Sequence, residues 1–247
     1  MTVDYEVRDA IAYISFNRPE KHNALRDEDI AALTAAIGRL DGDETAQIGL
    51  VFGQGRSFSS GGDVSDRLQR SMDEGSTSGR TSEAAAFLRC DNWKPIIAAV
   101  HGYCLGHALS TALFCDHLVA DRTARFQVVE ITIGLPMSAL LPRLGRPAFA
   151  NEVAMTGRMF GAEEAWEAGF VTRLVDPGKH VEAAEELARL ILGNPQSAVR
   201  EQVRVRRALI AESNARYQGL SGGFRWAGSE EARHAVEARA AGLGHKG

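Results

Sequence analysis

IIAAVHGYCLGHALSTALFC, residues 96–115, decides how this chain folds. Ile96 to Val100 form a short apolar run of strand length, HGYCLG makes a glycine-bearing turn, and HALSTALFC reads as a helix. A strand that feeds through a turn into a helix is the unit of an α/β core. Upstream the rhythm repeats: AQIGLVFG, Ala46 to Gly53, reads as a buried strand and runs into a second glycine turn, GQGRSFSSGGDV, Gly53 to Val64. Both turns are expected to lead into helices. Before them, Ile30, Leu33, Ile37 and Leu40 recur at helical spacing, with Asp27 placed to cap the helix. The chain opens with Val3, Tyr5 and Val7, a break at Asp9-Ala10, then Ile11, Tyr13, Ile14 and Phe16, which predicts a hairpin. Residues 71–82 mix charge with Gly, Ser and Thr and read as a mobile surface segment. Beyond Gly145 the pattern turns helical, through AFANEVAMTG, GAEEAWEAGF, the stretch His180 to Leu192, and a tail from Ala198 onward.

The whole chain has 247 residues, enough for one large domain or one domain with an appendage. With 45% hydrophobic and 24% charged residues it has the composition of a soluble globular protein. Its 28 Lys+Arg against 32 Asp+Glu give a net charge of -4, which argues against nucleic acid as a partner and requires any anionic ligand to be held locally. Cys90, Cys104 and Cys115 are too few, and odd in number, for a disulfide framework, so the expected compartment is reducing and cytoplasmic. MTVDYEVRD does not read as a secretion leader, and no run approaches the ~18 apolar residues of a membrane helix, so no membrane association is expected.

A helix that starts just after a glycine turn presents unpaired backbone N–H groups and the positive end of its dipole. Either turn alone is explained by the ease with which glycine bends, but two such ends can converge on one oxygen. A dinucleotide fingerprint does not fit, because the third glycine of the pattern would fall at Phe58. In RFQVVEITIGLP, Glu130 interrupts the apolar residues Val128, Val129, Ile131 and Ile133. Desolvation there would raise its pKa and suit it to general-base work; the alternative is a carboxylate on the outward face of an edge strand. His101, Cys104, His107, Cys115 and His117 match no common zinc spacing, and no metal is expected. GLSGG, Gly219 to Gly223, fits the serine-hydrolase pattern formally, but it follows a helical stretch and no Asp comes after Ser221; it reads as a break between tail helices.

NRPEKHNAL (Asn17 to Leu25), FSSGGDV (Phe58 to Val64), HGYCLG, and TG followed by AEEAWEAGFV occur in this order, and together they resemble the crotonase, or enoyl-CoA hydratase/isomerase, superfamily. The resemblance implies an α/β spiral of ββα units with a core domain over 1–195. It further implies a helical C-terminal region, 196–247, that mediates assembly into a homotrimer or dimer of trimers. It implies an acyl-CoA substrate and no separate cofactor, coenzyme A being part of the substrate. Carried over by position, the backbone N–H groups of Gly62 and His107 form an oxyanion hole, although the family usually has glycine where His107 stands. The Lys21 to Ala24 stretch, with Lys21, His22 and Ala24, would lie along the pantetheine and phosphates. Ser60, Gly61, Asp63, Val64, Gly106 and Ser110 are the further substrate-binding positions. Lys21, Arg18 and Arg56 are candidate sources of positive charge, and Arg18 and Arg56 read more simply as solvated surface residues.

Hydratases of this family use two glutamates, one early in the helix after the second glycine turn and one about twenty residues later. Here Ser110 holds the early position and Glu130 the later one. One carboxylate suffices to carry a proton between two carbons, whereas water addition usually divides its work between two. GLPMSALLPRL also lacks the glycine-rich stretch found in hydratases. The resemblance therefore implies a 3-enoyl-CoA to 2-enoyl-CoA isomerase with Glu130 as base. The alternatives are a 2-enoyl-CoA hydratase and a largely non-catalytic CoA-ester binder.

Overall fold

The computed structural model describes residues 2–63, 92–133, 142–221, 234, 237 and 238. Val64, Cys90 and the segment 71–82 lie outside them, as does any helix directly after the first glycine turn. Strands β1 (Val3–Arg8) and β2 (Ile11–Phe16) form the expected hairpin, paired antiparallel from Val3↔Phe16 to Arg8↔Ile11. Its two turn residues, Asp9 and Ala10, have φ of 49° and 62°, the left-handed pair demanded by a tight hairpin turn matched to strand twist. Helix α1 (Asp27–Gly42) leads to β3 (Ile48–Gly53), β4 (Ile96–Val100), the short β5 (Tyr103–Leu105) and α2 (His107–Phe114). Then come β6 (His117–Asp121), β7 (Arg125–Gln127), α3 (Pro147–Thr156), β8 (Phe160–Gly161), α4 (Ala162–Ala168), β9 (Arg173–Val175), α5 (His180–Leu192) and α6 (Gln196–Ser221). Among the described residues no helix is long and apolar enough to cross a membrane.

Six strands form one sheet in the order β1-β2-β3-β4-β6-β9, parallel beyond the hairpin. A second sheet, β5-β7-β8, is extended by the bridges Ser59↔Cys104 and Leu25↔Gly62. Successive chain segments thus give one strand to the large sheet and a short extended piece to the small one: β2 then Leu25, β3 then Ser59 to Gly62, β4 then β5, β6 then β7. This is the spiral of ββα units that the sequence implied. The inner strands β2, β3, β4 and β6 are buried on both faces, which is why they read as apolar runs, whereas the edge strand β1 alternates buried or half-buried with exposed residues. Ile14, Phe16, Val51, Ala98, Val100, Leu118 and Ala120 alternate toward the α1 and α2 side. Tyr13, Leu50, Ile97, Ala99 and Val119 face Ala183, Ala184 and Ala188 of α5, small residues that let that helix lie close.

Three polar anchors set the helices on this sheet. Asp27 is the first residue of α1 rather than its cap; the Asp29 carboxylate at the third position accepts the Arg26 N–H at 2.8 Å and holds the Arg26 guanidinium. Aspartate at that position reaches back over the helix start as a capping-box glutamate does, and the cap itself is Arg26, one residue before Asp27. Lys94, 2% exposed, donates to the carbonyls of Leu40, Asp43 and Ala46 at 2.8, 2.7 and 2.8 Å, closing the C-terminal end of α1, and burial lowers its pKa. Replacing Lys94 with Met strips these acceptors of their donor inside the protein and should cost about 3–5 kcal/mol in denaturant unfolding. An unchanged midpoint would show that water takes over the role. Helix α6 is fastened to α2 by Arg206 and Arg207, which bind Asp116 at 3.0 and 2.9 Å and cap the Cys115 and Phe114 carbonyls. It runs through Gly219, Leu220 and Ser221, so the expected break does not fall at those residues.

Candidate active site

The NRPEKHNAL turn and the first glycine turn form one hydrogen-bonded unit. After the short 3-10 turn Pro19–Lys21, His22 and Asn23 adopt φ of 50° and 54°, a conformation that Asn accepts more readily than most residues. Asn23 is buried. Its Oδ1 accepts the Arg18 N–H at 2.8 Å, and its Nδ2 donates to the carbonyls of Gln54 and Ser57 at 2.9 and 2.8 Å. In return the Ser59 hydroxyl donates to Asn23 O at 2.7 Å, and the Ser60 N–H to His22 O at 2.9 Å. Arg18 is not the solvated residue the sequence suggested: its guanidinium binds Asp63 at 2.9 Å and the Ala24 carbonyl at 3.2 Å, and its side chain is 20% exposed. Lys21 and Arg56 are exposed, and Arg56 lines a groove of about 420 Å³ with His22, Ser57, Tyr103 and Arg125. His22 also contacts the Ser57 hydroxyl at 3.0 Å.

The peptide at Gly62 is oriented by this network. Leu25 donates to Gly61 O at 2.7 Å and accepts from Asp63 N–H at 2.9 Å. In a parallel bridge those are the two groups a residue engages, so the Gly62 N–H points away from Leu25. On the second turn, Gly106 donates to Gln127 O at 2.9 Å, and His107 opens α2, where a first-turn N–H has no intrahelical acceptor. Gly61, with φ of +88°, brings the two turns together: a β-carbon there would lie 2.5 Å from Leu105 O and 3.7 Å from His107 N. Gly62 and His107 are each half-buried, with buried residues on either side of them in the chain.

Glu130 lies beside the second turn. It lies on a 3-10 turn, Val129–Ile133, beyond the end of β7, and is therefore not on the outward face of an edge strand. The residue is half-buried, its Oε2 shielded from solvent, and a β-carbon on Gly106 would lie 2.9 Å from its Oε1. Ser110, one turn into α2, is fully buried with its hydroxyl turned back to Gly106 O at 3.4 Å, a helix residue more than a pocket wall. Two amides and one carboxylate brought this close can polarise a carbonyl and move a proton at the adjacent carbon. Sequence reasoning singled out Gly62, Gly106, His107 and Glu130, which the fold gathers. Asn23, which ties the turn, and Gln127 behind Glu130 were legible only as polar residues beside apolar runs, whereas Asp63, which the resemblance marked as a substrate-binding position, is the partner of Arg18.

Cys104 and Cys115 are buried as apolar residues, and burial pushes both thiols up, Cys115 to about 12. Among the described residues no group of three or more His, Cys, Asp or Glu is placed to hold a metal. His101 instead pins the two glycine turns: its Nε2 lies 2.9 Å from Gly55 O, which fixes the proton on that nitrogen. Its ring stacks at 4.2 Å on His180, which sits 3.2 Å from Asp121. Burial lowers the His101 pKa, the Gly55 contact opposes the shift, and His180 adds to it. Asp121 is pushed up by burial, but His180, Thr123 and Gly178 together hold it far below the ordinary carboxylate range. A histidine that folds neutral contributes stability that is intact above its unfolded pKa of 6.5 and is lost as pH falls through that value toward the folded one. Thermal stability should therefore drop from pH 7 to pH 5, and less steeply in His101→Gln. Parallel pH–Tm curves for the two proteins would refute this.

The chain matches the enoyl-CoA hydratase/isomerase family over residues 6–239. It is 34% identical over 204 residues to (E)-benzylidenesuccinyl-CoA hydratase of Thauera aromatica, covering 77% of this chain and 76% of that protein. It is 30% identical over 197 residues to 1,2-epoxyphenylacetyl-CoA isomerase of Escherichia coli, covering 76% and 75%. Its fold superimposes on the crystal structure of an enoyl-CoA hydratase/isomerase from Xanthobacter autotrophicus Py2 with a TM-score of 0.84 and 30% identity, over 98% of this chain and 94% of that one. The family match over most of the chain, the relatives at 30% identity or more and the shared fold agree, and the chain belongs to the enoyl-CoA hydratase/isomerase family of enzymes.

Proposed function

We propose that this enzyme isomerises 3-enoyl-CoA to 2-enoyl-CoA. The observation that carries the reading is one carboxylate, Glu130, against the second amide turn, with the buried hydroxyl of Ser110 where a second carboxylate would stand. The thioester oxygen accepts from the Gly62 and His107 N–H groups, which polarises the carbonyl and acidifies C2. Glu130 takes the C2 proton, and the electron pair moves through the conjugated system onto the oxygen as a dienolate held by both amides. The protonated Glu130 then returns that proton to C4, leaving the double bond between C2 and C3. Coenzyme A enters as part of the substrate, with Lys21, His22 and Ala24 beside it.

A second reading, hydration of a 2-enoyl-CoA, is favoured by relatives named as hydratases, among them the Thauera aromatica protein and a short-chain-enoyl-CoA hydratase of Clostridium acetobutylicum. The deciding experiment incubates a panel of 2- and 3-enoyl-CoA esters with the protein and identifies the products. Double-bond migration without 3-hydroxyacyl-CoA supports isomerisation, 3-hydroxyacyl-CoA from the 2-enoyl esters establishes hydration, and binding without product marks an inert ester binder. We include in this proposal a trimer built through α6, supported by its exposed Val205 and Leu209, for which sedimentation velocity gives the mass.

A further inference from the structure

The turn that carries Glu130 is wedged between two glycines, and one residue, Gln127, spans the wedge with its backbone on one side and its side chain on the other. On one side is Gly106, where a β-carbon would meet Glu130 Oε1 at 2.9 Å. On the other is Gly157, the left-handed cap of α3 with φ of +61°, where a β-carbon would meet Thr132 Cγ2 at 2.6 Å and Ile131 Cγ2 at 2.7 Å. Gln127, the last residue of β7, touches both sides. Its backbone carbonyl accepts the Gly106 N–H at 2.9 Å, and its side-chain Nε2 donates to Gly157 O at 2.6 Å. Gly157 is buried, so its carbonyl depends on a protein donor, and Gln127 supplies one. The Thr132 hydroxyl closes the turn internally on Val129 O at 2.7 Å.

We propose that Gln127 is a positioning residue for proton transfer: by tying the α3 cap to the strand that meets the oxyanion turn, it sets where Glu130 stands relative to the two amides. It touches no substrate itself. The inference rests on the reading of Glu130 as the base. Without the Gln127 side chain the Gly157 cap is released, the Thr132 and Ile131 contacts relax, and the carboxylate loses the backing that presses it against Gly106. A displacement of about 1 Å at a reacting group costs up to about 100-fold in rate. In the proposed function the ester is held by the amides and by the 18–25 turn, to neither of which the Gln127 side chain bonds.

The test uses Gln127→Ala, Gln127→Glu and Glu130→Gln, each assayed for turnover of a 3-enoyl-CoA, for binding of butyryl-CoA as an unreactive probe, and for Tm. Gln127→Ala is expected to lower kcat about 10- to 100-fold, with KM and the butyryl-CoA Kd within about twofold of wild type. Gln127→Glu can donate to Gly157 O only while protonated, so its kcat is expected to gain a new fall with rising pH that wild type lacks. A kcat within twofold of wild type in a folded Gln127→Ala, alongside an inactive Glu130→Gln, would overturn the positioning role and leave the base assignment standing. Turnover surviving in Glu130→Gln would overturn the base, and the positioning role with it. If Gln127→Ala does not fold, a wild-type pH profile in Gln127→Glu is enough to reject the proposal.

Discussion

Replacing Glu130 with Gln is expected to lower kcat for double-bond migration by about 10²–10⁴-fold and to leave the affinity for a saturated acyl-CoA nearly unchanged. The substitution keeps the volume and the hydrogen-bonding end of the side chain, so the contact with Gly106 survives; what goes is the ability to hold a proton between its removal at C2 and its return at C4. In the proposed reaction the amides of Gly62 and His107 bind the thioester independently of that proton, so binding and turnover should separate. Proton exchange at C2, followed by NMR in deuterated buffer, reads the first half of the step alone and should disappear with turnover. Exchange that persists at the wild-type rate would assign proton removal to another group.

Gly61→Ala is expected to disable the site from the other side. At φ of +88° any β-carbon is strained, and this one would lie 2.5 Å from Leu105 O, a backbone atom fixed in the small sheet. The turns must part, which separates the Gly62 and His107 amides, and loss of one oxyanion donor costs roughly 10²–10³-fold in kcat. Strain in the left-handed region adds about 1–2 kcal/mol of destabilisation. Calorimetry together with kcat on the folded fraction distinguishes the two losses. A variant with wild-type kcat and Tm would mean that the turns do not need this approach.

The large-scale architecture was legible because it is written in apolar spacing. Ile96 to Val100 could be read as a strand and Ile30, Leu33, Ile37 and Leu40 as a helix face, because burial selects side chains locally. The donors and acceptors that shape the site follow no such period. Asn23 is decided by Gln54 and Ser57, Arg18 by Asp63, and Lys94 by carbonyls some fifty residues away, so each looks like an ordinary polar residue until the chain closes on itself. The α1 cap was misplaced for a related reason: Asp27 and Asp29 are equally good carboxylates in sequence, and only backbone direction selects Asp29. Glu130 was found by its incongruity among Val and Ile, yet its 3-10 turn was not, since VVEITI has the composition of a strand.

The stitching of residues 18–25 to residues 54–63 has a consequence for how this region breathes. Its hydrogen bonds run in both directions between the segments, so neither can peel away without cutting the other's bonds. Amide deuterium uptake at Leu25, Ser60 and Asp63 should then proceed with one common opening free energy, as a cooperative foldon rather than as two independently fraying loops. On the proposed mechanism, the oxyanion turn that holds the enolate would then open and close as one piece, with no half-formed state to leak a reactive carbanion into water.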